Sequence, residues 1–203
     1  MATCRIFRGS MSFVGERERG LILDLLRGRI PEDEFYREFP IKPGEGSGAG
    51  RAMLVRALQE RDATGVEFGL YLGHRFGISE EYLDVLLGLA GESWHERHED
   101  VIDGVAKLKS PRSVESLFRT AVTTFPYRAY DEFNSLGTKC IRALGAIRTK
   151  GALARLGDLM ASGDPNLERE AQAQLRRIES EERSEDVRAS ARDMLATRGS
   201  GTR

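Results

Sequence analysis

The sequence is poor in the residues that most enzyme chemistry needs. Of 203 residues, two are cysteine and three are histidine. Cys4 and Cys140 cannot build a disulfide framework, so a reducing compartment, the cytoplasm, is expected. Long apolar runs are missing too. No stretch reaches the roughly 18 residues that read as a membrane-spanning helix. Arg5 and Arg8 are followed by no apolar segment of the kind a secretory signal carries. An excess of one charge is also absent. Lysine and arginine number 31 and aspartate and glutamate 32, a formal net charge of −1. That balance gives no overall drive toward nucleic acid or an anionic membrane. There is no Gly-x-Ser-x-Gly elbow, no cysteine in a polar setting with a histidine, and no cofactor motif.

What is present is helical patterning, with 40% of residues hydrophobic. The length suits one domain or one short solenoid. Cys140, Leu144 and Ile147 share a helical face with Ala143 beside them, and Gly145 is small enough for a close helix crossing. Leu153, Leu156, Leu159 and Met160 form a second stripe. Gly163 then suits a helix C-cap, Asp164 an N-cap and Pro165 a first turn, before Ala171, Leu175 and Ile178 begin a third stripe. The pattern recurs. Cys140, Leu144, Ile147, Leu153 and Leu156 reappear as Val101, Val105, Leu108, Val114 and Leu117, a shift of about 39 positions. Leu153, Leu156 and Leu159 reappear as Leu83, Leu86 and Leu89, about 70 positions earlier.

The segment Ile141-Arg142-Ala143-Leu144-Gly145-Ala146-Ile147, with the Leu153/Leu156 stripe after it, resembles HEAT repeats. The likeness is to the small bacterial type first noted in phycobilisome lyase subunits. It implies an all-α fold, an α-solenoid of antiparallel helix pairs with an irregular N-terminal cap. It is specific for architecture and poorly specific for function.

Along the chain, residues 1–11 are expected to be a disordered lead, with Met11 a candidate start. Residues 12–76 read as the irregular helical cap, 77–197 as the repeats and 198–203 as a disordered tail. Within the cap, helices are predicted from Phe13 to Arg27, Glu32 to Phe39, Arg51 to Arg61 and Thr64 to Phe76. The stretch 40–50, with two prolines and then Gly44-Glu-Gly-Ser-Gly-Ala-Gly, resembles a phosphate loop. It lacks the preceding strand and the closing Lys-Ser/Thr, and reads as a flexible linker. Ser79 is a candidate cap for the next helix.

Two connections are richer than a repeat requires. Ser93 to Asp100 holds the only tryptophan, Trp94, with His95 and His98. Thr123 to Phe133 holds Phe125, Pro126, Tyr127, Tyr130 and Phe133 among Arg128, Asp131 and Glu132. His95 and His98 with Glu99 make at most an incomplete metal set, since zinc sites use three or four ligands; the plainer reading is that His95 bonds a neighbouring helix. Asp131 and Glu132 are either a general acid/base pair or carboxylates placed at a helix start. Tyrosine and tryptophan dominate interface hot spots. Trp94, His95, His98, Tyr127, Arg128, Tyr130, Asp131 and Glu132 are therefore the candidate partner-binding residues, the alternative being that the aromatics fill gaps between repeats. The small bacterial HEAT proteins that these segments resemble include some associated with polymorphic toxins. The resemblance implies a non-catalytic protein-binding module, an immunity protein that blocks a cognate toxin domain. The competing reading is a HEAT-like DNA glycosylase using Trp94, Tyr130 and Asp131, with a chromophore lyase as a third.

Overall fold

A computed structural model describes residues 15–199 except Pro40 and Pro43. The reading of residues 1–11 as a lead, the start of the first helix at Phe13 and most of the 198–203 tail lie outside the described residues; positions 198 and 199 of that tail are instead the end of a helix. Every regular element described is helical. The first four helices are α1 (Glu16–Leu26), α2 (Glu32–Glu38), α3 (Gly46–Glu60) and α4 (Ala63–Phe76). Next come α5 (Leu83–Leu89), α6 (His98–Leu108), α7 (Val114–Val122) and α8 (Ser135–Ile147). The chain ends with α9 (Lys150–Met160), α10 (Pro165–Glu181) and α11 (Glu185–Gly199). Short 3₁₀ turns at Glu80–Tyr82, Pro111–Ser113 and Pro126–Arg128 lie between them.

Consecutive helices pack as pairs, α3 on α4, α5 on α6, α7 on α8 and α10 on α11. Alternate helices also touch. α4 packs on α6, α6 on α8 and α8 on α10, while α3 meets α5, α7 meets α9 and α9 meets α11. The apolar stripes make these contacts. Val101, Val105, Leu117, Cys140, Leu144, Leu153, Leu156, Leu175 and Ile178 are all buried in one continuous core. The shift of about 39 positions is visible in the backbone as well: Lys109 and Arg148 both end their helices in the left-handed conformation, at φ 49° and 56°. Burial of Cys140 pushes its thiol well up, so it is packing and not a nucleophile.

Caps explain where several helices begin. Thr149 accepts from the Ala152 N–H. Asp164 accepts from Asn166 and Leu167, with Pro165 in the first turn. Ser79 departs from expectation and makes no capping hydrogen bond. A second, smaller core gathers Ile22, Leu25, Phe35 and Phe39 from the N-terminal segment against Met53, Phe68 and Leu72.

The glycine-rich stretch requires a correction. Residues 46–50 are not a linker but the first turns of α3. Gly46, Ala49 and Gly50 are buried there. A Cβ on Gly50 would stand 2.8 Å from the Gly73 nitrogen and 2.8 Å from the Tyr82 hydroxyl. A Cβ on Gly69 would meet Leu54 at 2.8 Å. The glycines let the α3 and α4 backbones approach, and that packing overrides their poor helix propensity.

Candidate functional site

The two irregular connections come together. Trp94, His95, Tyr127 and Tyr130 line one cleft of about 670 Å³, closed on the other side by Ala63, Thr64 and Glu67 of α4. Five side chains form the wall behind it. Trp94 meets His95 edge-on at 5.1 Å, and His95 stacks on His98 at 4.3 Å. His98 then lies 3.7 Å from Phe125 and 5.6 Å from Tyr127, centroid to centroid.

The hydrogen bonds set the state of both histidines. The Arg97 N–H donates to His95 Nδ1 at 3.1 Å, so Nε2 carries the proton and donates to the Leu89 carbonyl at 2.9 Å. His98 Nε2 donates to the Glu92 carbonyl at 2.8 Å, and its Nδ1 accepts from the Tyr127 hydroxyl at 2.9 Å. Both rings are neutral; His95 ties the α5–α6 connection to the end of α5, and His98 ties the start of α6 to that connection. Burial lowers the pKa of both. For His98 the neighbouring His95 and Arg128 add to this and bring it to about 4.

The loop 123–134 is pinned by charge. Arg128 pairs with Asp131 and, at 2.7 Å, with Glu99 of α6; its side chain is 12% exposed and that of Asp131 11%. Asp131 accepts from the Ser135 N–H at 2.8 Å and from its hydroxyl at 2.6 Å, which serves the first residue of α8. Asn134 caps the same helix through Gly137. Lys139 reaches Glu99 at 3.2 Å and Asp103 at 2.7 Å. Partial burial works against all these charges. For Glu99 the bonds from Arg128 and Lys139 outweigh it, and for Asp131 those from Ser135 and Arg128 do, so both carboxyls sit below their ordinary range. Arg128 is correspondingly raised, burial being outweighed by Asp131, Tyr127 and Glu99.

The arrangement revises several candidate contacts. His95 and His98 are 1% and 0% exposed, and Asp131 is engaged with Ser135 and Arg128. These groups position the surface and do not present themselves to a partner, because their polar atoms already have protein partners. Tyr127 and Trp94 are half-buried, and the Trp94 indole donates to Glu92 at 2.7 Å. Glu132 is exposed. Tyr130 stands out at 78% exposure, joined by Phe133 at 74%. Phe133 was not among the candidate contacts; its signal was its place three residues after Tyr130 on the same loop. Glu99, Ser135 and Lys139 were missed as supports because they lie on α6 and α8.

Among the described residues no group of three histidine, cysteine, aspartate or glutamate side chains is placed to hold a metal ion. No described helix is long and apolar enough to cross a membrane. Fold and site together define an all-helical protein with an aromatic-walled cleft and a loop held in place from within. No protein-family model, curated protein or solved structure matches the chain.

Proposed function

We propose that the chain is a non-catalytic protein-binding module built as an α-solenoid of HEAT-like helix pairs, and that it acts as an immunity protein for a toxin domain. The recurrent stripes, the contacts between alternate helices and the paired left-handed ends at Lys109 and Arg148 support the solenoid. The observation that carries the binding role is the exposure of Tyr130 and Phe133 on a loop fixed by the Arg128–Asp131–Glu99 network. Exposed aromatics on a pre-ordered loop bind with little ordering cost. The toxin is the partner class that the sequence resemblance implies. The DNA-enzyme reading has less support, since carboxylates outnumber cations in the cleft and would repel a phosphate backbone.

The test uses the full tagged chain and its Tyr130→Ser/Phe133→Ser variant as baits in lysate of the native host. One protein should be enriched by the parent chain and lost with the variant. Co-expression with the parent chain should then relieve any growth defect the captured protein causes. Equal capture by both baits would remove the loop as the binding surface, and a captured protein that is harmless alone would remove the immunity role.

A further inference from the structure

The charges around the loop are uneven in a chain that is nearly neutral overall. The cleft on one side carries Glu67, Glu96, Glu99 and Asp100 against Arg97 and Arg128. The cleft on the other side, about 350 Å³, carries Asp131, Glu132 and Asp164 against the same Arg128; Asp131 and Asp164 are held by Ser135 and Asn166, so the exposed Glu132 is the carboxylate it presents. Both guanidiniums are already engaged. Arg97 pairs with Glu67 and Asp100, and Arg128 with Glu99 and Asp131. The exposed aromatics Tyr130 and Phe133 belong to the loop that divides the two clefts. We propose that the surface receives a basic segment of a protein partner, in which arginine or lysine side chains enter the acidic clefts and an apolar residue between them covers Tyr130 and Phe133. This rests on the protein-binding reading and adds the chemistry of the partner.

Three physical effects favour that occupant. The carboxylate excess attracts cations and repels acidic segments. Aromatic faces at Trp94, Tyr127 and Tyr130 favour a guanidinium, as Arg128 shows by lying 5.8 Å from the Tyr127 ring centroid. The exposed rings supply the apolar area that charge alone does not.

Trp94 is the only tryptophan and lines the first cleft, so its indole N–H is a single reporter in a nitrogen–proton NMR spectrum. The probes are a short synthetic peptide alternating arginine and leucine, and its counterpart with glutamate in place of arginine. The arginine peptide should shift the indole signal saturably, and more weakly as salt rises. The glutamate peptide should leave it unmoved. Glu96→Lys combined with Glu132→Lys, both exposed positions, should weaken the arginine peptide by about tenfold or more. Tyr130→Ser/Phe133→Ser should weaken it by at least about threefold. An arginine peptide that moves nothing, or charge reversals without effect, overturns the basic partner. If the host partner is nevertheless captured through Tyr130 and Phe133, the binding module stands and only its partner's chemistry is wrong. If the peptide binds as expected but host capture ignores the two aromatics, the charge preference is real and the loop is removed as the host partner's binding surface.

Discussion

Two links carry the chain into helices that pack side by side, and they are built differently. The link from α9 to α10 runs from Ala161 to Asp164. It turns at Gly163, with φ 82°, and ends in an Asp164 that caps the next helix by itself. The link from α7 to α8 covers 123–134. It buries Phe125, leans Tyr127 on His98, and closes with Arg128, Asp131 and Asn134. The short link meets the needs of the backbone and stops there. The long link meets the same needs and leaves two large aromatics in solvent. The two are also tied: Asn134 donates to Asp164 at 3.1 Å, and Asn166 donates to the Glu132 carbonyl at 2.9 Å. The long link carries more restraints than the short one: Asp131 and Asn134 serve the start of α8, Arg128 ties the loop to Glu99 of α6, and Tyr130 and Phe133 stand exposed on this restrained stretch.

Acid should separate the links most strongly. His98 titrates near 6.5 when unfolded and near 4 when folded, so the folded state binds fewer protons in between. Its contribution is complete above the unfolded pKa and is lost as pH falls toward the folded one, up to about 3 kcal/mol. His95 is lowered as well and acts in the same direction. Glu99 and Asp131 have depressed folded pKa values, so their contributions fade only at lower pH, below 4.5 and 3.8 respectively. Urea midpoints at pH 7, 5.5 and 4.5 should therefore fall steadily, and His98→Gln should flatten that slope. Amide exchange at 123–134 should rise before exchange at 161–164. A slope unchanged in the variant would mean that the buried ring is not what acid acts on.

Next in size is Arg128→Ala. It leaves Asp131 and Glu99 without their shared cation and should destabilise by about 2 kcal/mol in chemical denaturation. Asp164→Ala in the short link removes one cap and should lower stability by about 1 kcal/mol. The comparison sharpens if the first exceeds the second. Equal effects would show the long link to be no more firmly held than the short one.

The short link was legible in the sequence and much of the long one was not. Gly163, Asp164 and Pro165 act within one turn, so their roles follow from spacing alone. The stripe residues Leu144, Leu153 and Leu156 were legible for the same reason. Asp131 was half legible: a carboxylate near a helix start was expected, whereas its bond to Arg128 and the further reach to Glu99 join a loop to a distant helix. Gly46 and Gly50 misled because local propensity argues against a helix, while the contacts with Gly73 and Tyr82 that favour one are invisible until α3 meets α4. His98 looked available because nothing local reports that the Glu92 carbonyl accepts from its Nε2, whereas His95 was already legible as a ring that bonds a neighbouring helix, and it donates to the Leu89 carbonyl at the end of α5.

The smallest expected effect on stability is also the most informative about function. Tyr130 and Phe133 are 78% and 74% exposed, so removing them forfeits little buried area. Tyr130→Ala should change stability by less than about 0.5 kcal/mol, as surface substitutions away from special features do. Binding should respond differently. If Tyr130 is covered by a partner, its loss should weaken that complex by about 2 kcal/mol or more. The two quantities must be measured on one variant, because Arg128→Ala would lower affinity too, by releasing the loop. Tyr130→Ala leaves the Arg128–Asp131–Ser135 network intact, so a loss of affinity at unchanged stability would come from the ring itself. A loss of stability with unchanged affinity would make Tyr130 a packing residue after all, and the long link would differ from the short one in length but not in purpose.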